Sequence, residues 1–363
     1  MRSLRARLRE DIADRSRWRP HCGCSATKRL PHVRHLVLLL LFFLSVGPVR
    51  AMDAPGMAVL PVADAKGGRD LVLSLWSPAR GGSAQVVGGN AVFLGQKAAP
   101  DAAAGEGPFP LVLLSHGGVR SSPDSGAWLA AALAGSGHIV VEVNAPRPAG
   151  PRAGADEIWR RPQDLARALA AVLGDPQWAG RIDRTRISAV GFALGGTAAL
   201  AVGGWQFDAD AVRRACADGA GPDCAWFAAG GVALETLDPA PLERSYRLPE
   251  VSAVVAIVPE YADAVLREGE GSPVPLLTIA LGATGEGEAH LAPLVGDDGT
   301  NRLVTFAEAG PFDAFPACTP AGAKILSEDG GDPALCGTSA QARGDIHAAI
   351  IEQIRAFLAQ AAK

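Results

Sequence analysis

The chain has 363 residues, 48% of them hydrophobic and 20% charged, with 43 glycines, 27 prolines and only two tyrosines. That composition suits one large α/β domain or two smaller ones, and excludes collagen-like and intrinsically disordered chains. Removing residues 1–51, which hold 11 Lys and Arg and 3 Asp and Glu, takes the net charge from −4 to −12, so nucleic acid and anionic membrane are excluded as partners.

Residues 1–51 differ from the rest. A basic stretch precedes Leu36–Val46 (LVLLLLFFLSV), an apolar run too short to span a bilayer comfortably and of the right length for a signal-peptide core. Small residues around Ala51 place a cleavage site there. The expectation is an exported protein, secreted or periplasmic, with no stable membrane anchor after cleavage; an uncleaved anchor is the rival reading. Residues 52–363 are then a single domain.

Leu71–Trp76 reads as a strand and residues 79–108, rich in Gly, Ala and Pro, as a surface loop. Pro110–Leu114 is a fully apolar strand running into Ser115-His116-Gly117-Gly118. A helix is expected over Ala127–Ala134, stopped by Gly137, then a strand over Ile139–Val143 and a loop over 144–155. The next helix is expected to start near Arg161 with Pro162 in its first turn. Residues 205–247 interrupt the alternation and read as a loop-rich insertion over the site. Val251–Val258, Val274–Leu281 and Leu303–Phe306 are further strands. Residues 316–343 read as a long loop, and a last helix is expected from Asp345 to Gln360, with Ile350, Ile351, Ile354, Phe357 and Leu358 on its buried stripe. Strands alternating with helices predict a mostly parallel sheet covered on both faces, with its crevice at the carboxyl ends of the strands.

The stretch Arg186–Gly196 (RISAVGFALGG) carries the chemistry. It reads as a buried strand, a tight turn and a helix, with glycines where backbone must approach backbone. A nucleophile elbow has the form Gly-x-Ser-x-Gly; here the central residue is Ala193, and a methyl group cannot attack a carbonyl.

Cysteines follow the same export logic. Cys22 and Cys24 fall in the leader, leaving Cys216, Cys224, Cys318 and Cys336. The local pairs 216–224 and 318–336 are the simplest of three pairings. A zinc site is the rival, but no CxxC spacing supports it, and no metal or cofactor is implied.

Taken in order, GRDLVLSLWSPA, FPLVLLSHGG, WRRPQDLARALAAV, DRTRISAVGFALGG, FPACTP and GDIHAAI resemble the exported predicted dienelactone hydrolases, akin to platelet-activating-factor acetylhydrolases, of the α/β-hydrolase superfamily. The resemblance runs over about residues 56–358. It implies an α/β-hydrolase fold and an ester-hydrolase lineage, and it exposes departures. The nucleophile position falls on Ala193 and the residue before it on Phe192. The acid position falls on Thr284, with Glu286 and Glu288 nearby, and the base position on Pro311. Backbone N–H groups at Gly118 and Leu194 stand where the oxyanion donors belong, and these need no particular side chain.

Loss of nucleophile and base together predicts a pseudoenzyme that binds a small acyl compound or a protein partner. The alternative is an active ester hydrolase with relocated chemistry, Ser115 or Thr284 serving as nucleophile and His290 as base. His116 is expected to brace its turn, His138 to pack or face solvent, and His347 to sit in the first turn of the last helix.

Overall fold

A computed structural model describes residues 54–66, 68–219, 221–266, 274–282, 286–296 and 301–361. The expected signal peptide, residues 1–51, lies outside the described residues. The strands of the main sheet are β1 (Gly56–Val62), β2 (Leu71–Ser77), β3 (Phe109–Ser115), β4 (Ile139–Asn144), β5 (Ile182–Phe192), β6 (Val251–Ile257), β7 (Leu276–Leu281) and β8 (Arg302–Phe306). Their spatial order is β1-β2-β4-β3-β5-β6-β7-β8. β1 pairs with β2, and β2 with β4, in antiparallel fashion; every later pairing is parallel.

The central strands form because their residues are apolar on both faces, as a sheet covered on both sides requires. In β3, Leu111 and Leu113 enter one core, and Val112 and Leu114 the other. The first core is closed by α3 (Glu157–Gly174) and α4 (Leu194–Gly203), through Ile158, Leu165, Leu169, Leu200 and Val202. The second is closed by α1 (Ala127–Gly135) and α9 (Ala340–Ala361), through Trp128, Leu129, Leu133, Ile350, Ile354 and Phe357. The remaining helices are α2 (Pro151–Ala155), α5 (Ala209–Arg214), α6 (Cys224–Ala229), α7 (Glu286–Val295) and α8 (Gly322–Glu328).

Several boundaries differ from the sequence reading. β1 is an additional edge strand. Residues 79–108 contain two short antiparallel ribbons, 79–80 with 103–104 and 85–87 with 96–98. The helix expected near Arg161 begins at Glu157, so Pro162 lies inside it; at its sixth residue the missing N–H costs only one early hydrogen bond. The last helix begins at Ala340 rather than Asp345, which puts His347 in its third turn. The 316–343 segment carries α8 and a 3₁₀ turn, Pro333–Cys336.

The insertion is loop-rich as expected, and Phe207, Val212, Phe227, Leu234 and Leu242 root it in the first core. The disulfides are Cys216–Cys224 and Cys318–Cys336, with Cα–Cα distances of 5.4 and 5.6 Å. No helix among the described residues is long and apolar enough to cross a membrane.

Candidate functional site: the elbow at the end of the fifth strand

β5 ends at Phe192, and Ala193 turns the chain into α4 with φ 53° and ψ −130°. This is a conformation that L-residues adopt only under constraint, and the neighbours supply the constraint. The Ala193 N–H donates to the Ile257 carbonyl at 3.0 Å, and the Ala193 carbonyl accepts from Gly196 at 2.9 Å and Glu260 at 3.2 Å. Tight crossing makes the glycines obligatory: a Cβ on Gly191 would run into the Gly195 carbonyl, and one on Gly195 into the Ser115 carbonyl. The strained geometry of an elbow is therefore kept around an alanine that is 5% exposed.

The loop after β3 is held from below by α3. Arg161 donates through Nη1 to the His116 carbonyl (2.8 Å) and through Nη2 to the Gly118 carbonyl (3.0 Å). Its Nε meets Glu157 at 3.0 Å. Glu157 and Asp164 also share Arg69, at 2.7 and 2.6 Å. These buried charges are paired, as burial demands. The His116 imidazole braces the turn, as expected: its Nε2 donates to Asn144 Oδ1 at 2.9 Å. Asn144 Oδ1 also accepts the Asp124 N–H, and its Nδ2 donates to Ser74 and Asp124. Burial first, then the Arg161 charge, push the His116 pKa down to about 4.

Beside it Glu142, wholly buried, accepts from the Gly126 N–H (2.7 Å) and from Trp76 Nε1 (3.1 Å). Burial, aided by Asp124, pushes its carboxyl up to about 8.

The loop after β8 reaches the elbow with aromatic rings. Phe315 meets Phe192 edge-on at 5.3 Å between centroids. Pro311, on which the sequence resemblance puts the base position, is exposed in this loop. Asp313 and α9 hold the loop in place: Asp313 Oδ2 accepts the Gly310 N–H (2.7 Å), and Oδ1 accepts Arg343 Nε (3.0 Å). Both partners of His347 Nε2 are carbonyl oxygens, of Asp313 (2.8 Å) and Phe315 (3.1 Å), so that nitrogen carries the proton. The ring stacks on Trp128 at 3.8 Å, and burial lowers its pKa to about 4. This imidazole is tied into the support of the loop.

Among the described residues, Ser115 and His290 share no hydrogen bond. Ser115 is 2% exposed at the end of β3. His290 lies on α7 with a largely exposed side chain, and its Nδ1 pairs with Asp263 at 2.7 Å. His138 is half-buried against the Leu133 carbonyl. Thr284 and the side chain of Glu286 lie outside the described residues, and Glu288 accepts a hydrogen bond from Thr305. Among the described residues no cluster of three or more His, Cys, Asp or Glu is arranged to hold a metal ion.

Glu260, which sequence reasoning missed, stands at the centre of the elbow. It lies three residues past β6, and its carboxyl takes a hydrogen bond from the Leu194 N–H. Its Oε1 lies 3.0 Å from where a Cβ on Gly118 would be, and Asp223 Oδ2 of the insertion lies 3.7 Å from the same point. Glu260 Oε2 is buried without a hydrogen-bonding partner. Burial and the neighbouring Asp223 push this carboxyl up to about 8, with Arg161 opposing. Asp223 is held by Arg120, whose Nε reaches Oδ1 at 3.1 Å.

Arg161 and Glu142 did leave signals in the sequence. Arg161 shares a helix face with Leu165 and Leu169, and Glu142 interrupts an apolar strand. Glu260 follows Pro259 in a loop and left none. A separate cleft of about 830 Å³ opens at the opposite, amino-terminal ends of β3, β4 and β6, lined in part by His138, Arg186, Ser252 and Arg355.

No family model matches the chain, and no curated protein does. Solved structures do. The ferulic acid esterase of Streptomyces cinnamoneus is similar at a TM-score of 0.53 and 17% identity, over 87% of this chain and 92% of that one. An esterase of Pyrobaculum calidifontis is similar at a TM-score of 0.37 and 14% identity, over 82% and 86%. The strand order, the elbow and the similarity to the first of these establish that the chain has the α/β-hydrolase fold.

Proposed function

We propose that this protein is an exported, non-hydrolytic member of an esterase lineage, whose elbow region binds a small acyl compound or a protein partner without cleaving it. The observation that carries this reading is Ala193 in the strained elbow conformation, while His116, His138, His290 and His347 are engaged with Asn144, the Leu133 carbonyl, Asp263 and the Asp313 carbonyl. Ester cleavage on this fold requires a nucleophile, a base in hydrogen-bond reach and oxyanion donors. Loss of the nucleophile or base alone costs about 10⁶ in kcat. Around the elbow Phe192 meets Phe315 edge-on, and the His116 ring lies 6.4 Å from the Phe192 ring with its Nε2 held by Asn144.

The export part of the reading is supported by the apolar run at Leu36–Val46 and by the two disulfides. A hydrolase relocated to Ser115 and His290 is the less favoured reading, since one is buried at a strand end and the other faces solvent with Asp263.

The test is turnover of p-nitrophenyl acetate and butyrate by the purified protein. Rates at the uncatalysed background are expected. Turnover well above background that disappears in His290→Ala would establish the relocated hydrolase instead.

A further inference from the structure

Both main-chain groups of Glu260 are tied to the elbow. Its N–H donates to the Ala193 carbonyl at 3.2 Å, and its carbonyl accepts from the Thr197 hydroxyl. The turn delivering it is strained on both sides: Val258 has φ 38° and Tyr261 φ 56°, neither being glycine. Such conformations persist where the surroundings over-determine them. The side chain then folds back over the first residue of α4, taking the Leu194 N–H. Its Oε1 abuts Gly118, the other backbone position that faces a developing acyl oxygen on this fold. A carboxyl carbon with two oxygens has the shape and acceptor character of the group those donors would otherwise bind.

We propose that Glu260 is the specificity-determining residue of this site: it occupies the oxyanion hole from within the chain, so that carboxylates and acyl oxygens of outside ligands are excluded. This rests on reading the elbow as a non-hydrolytic binding site, and it narrows the acyl compounds that site can take to those whose carbonyl or anionic oxygen stays clear of the two donors. The chemical class refused is any small molecule that must place an anionic or carbonyl oxygen between Leu194 and Gly118. A ligand of this elbow must be held by other contacts, or must bring a donor to the unpartnered Oε2.

Occupancy and charge make different predictions, and two variants separate them. In Glu260→Gln the amide oxygen still accepts from Leu194, so the hole stays filled and no charge can form there at any pH. In Glu260→Ala it is emptied. Sodium butyrate is the probe, read by calorimetry and by Tm against sodium chloride at equal ionic strength, with backbone amide exchange at Leu194 followed in parallel.

Butyrate is expected to bind Glu260→Ala at least tenfold more tightly than either the parent protein or Glu260→Gln. The Leu194 amide is expected to exchange faster in Glu260→Ala and to slow again with butyrate. Equal butyrate affinity in parent and Glu260→Ala, equal affinity in Glu260→Gln and Glu260→Ala, or no binding to Glu260→Ala overturns the proposal. Glu260→Ser serves if the alanine variant does not fold. None of these outcomes touches the non-hydrolytic reading, which rests on ester turnover.

Discussion

Arg161 Nη2 donates to the Gly118 carbonyl at 3.0 Å, so α3, packed by one face against the sheet, holds the loop that borders the elbow. The same guanidinium holds the His116 carbonyl and the Glu157 carboxylate. One cation thus serves two loop carbonyls and one buried anion; the Gly118 carbonyl also accepts the Ser121 N–H at 3.2 Å, and Arg69 shares the anion.

Removing this cation takes the His116 carbonyl's side-chain donor, leaves the Gly118 carbonyl with the Ser121 N–H alone, and leaves Glu157 half-paired. Arg161→Met is expected to lower stability by about 3 kcal/mol, the range for breaking a buried pair. Urea denaturation at neutral pH measures it. A loss under about 1 kcal/mol would mean that Arg69 alone suffices.

Position 193 combines near-complete burial with φ 53°. Ala193→Gly exchanges relief of strain for a lost methyl contact and a freer unfolded chain, so its stability should stay within about 1 kcal/mol of the parent. Ala193→Val places a β-branched side chain in the same conformation and should cost about 2 kcal/mol or more. Ala193→Ser should fold yet give no p-nitrophenyl ester turnover, since no base is in place to activate it.

The buried titrating groups set a pH window. Glu142 and Glu260 have folded pKa values of about 8 against an ordinary 4.5, so they stay protonated in the fold when the unfolded chain has already released those protons. Their contribution is complete below pH 4.5 and is lost as pH rises through 8. His116 and His347 have folded values of about 4 against an ordinary 6.5. Their contribution is complete above pH 6.5 and is lost as pH falls towards 4. The two pairs oppose each other between pH 4.5 and 6.5, so stability should be flat there and decline on either side. The alkaline decline approaches about 1.4 kcal/mol per pH unit for each carboxyl. Denaturant midpoints across pH 4 to 9 measure the curve, and Glu142→Gln should roughly halve the alkaline slope.

The disulfides close sequence separations of 8 and 18 residues. Loop-closure entropy assigns about 2.6 and about 3.2 kcal/mol to them. Cys318→Ser with Cys336→Ser should therefore cost slightly more than the corresponding pair at 216 and 224, as read by thermal denaturation of the two double variants. A larger loss at 216 and 224 would show that the insertion depends on its bridge for packing as well as for chain entropy.

Much of the architecture was legible because its signals are local. Period-two alternation in β2, unbroken apolar runs in β3, β4 and β6, and glycine spacing at 191, 195 and 196 each express a backbone requirement within a few residues. The boundaries that shifted have local reasons too. Pro162 is tolerated within the first two turns of α3, and the buried Arg343 extends α9 backwards by anchoring its start to Asp313 and the Pro316 carbonyl.

Covalent identity and short-range periodicity already set the sheet, the elbow and the lack of a hydroxyl at residue 193. What fills the elbow came from long-range folding. Glu260 meets Leu194, and Asp223 comes beside Gly118, because three separate loops converge at the carboxyl ends of neighbouring strands. Side chains that meet through converging loops share no sequence period, so no pattern along the chain announces them.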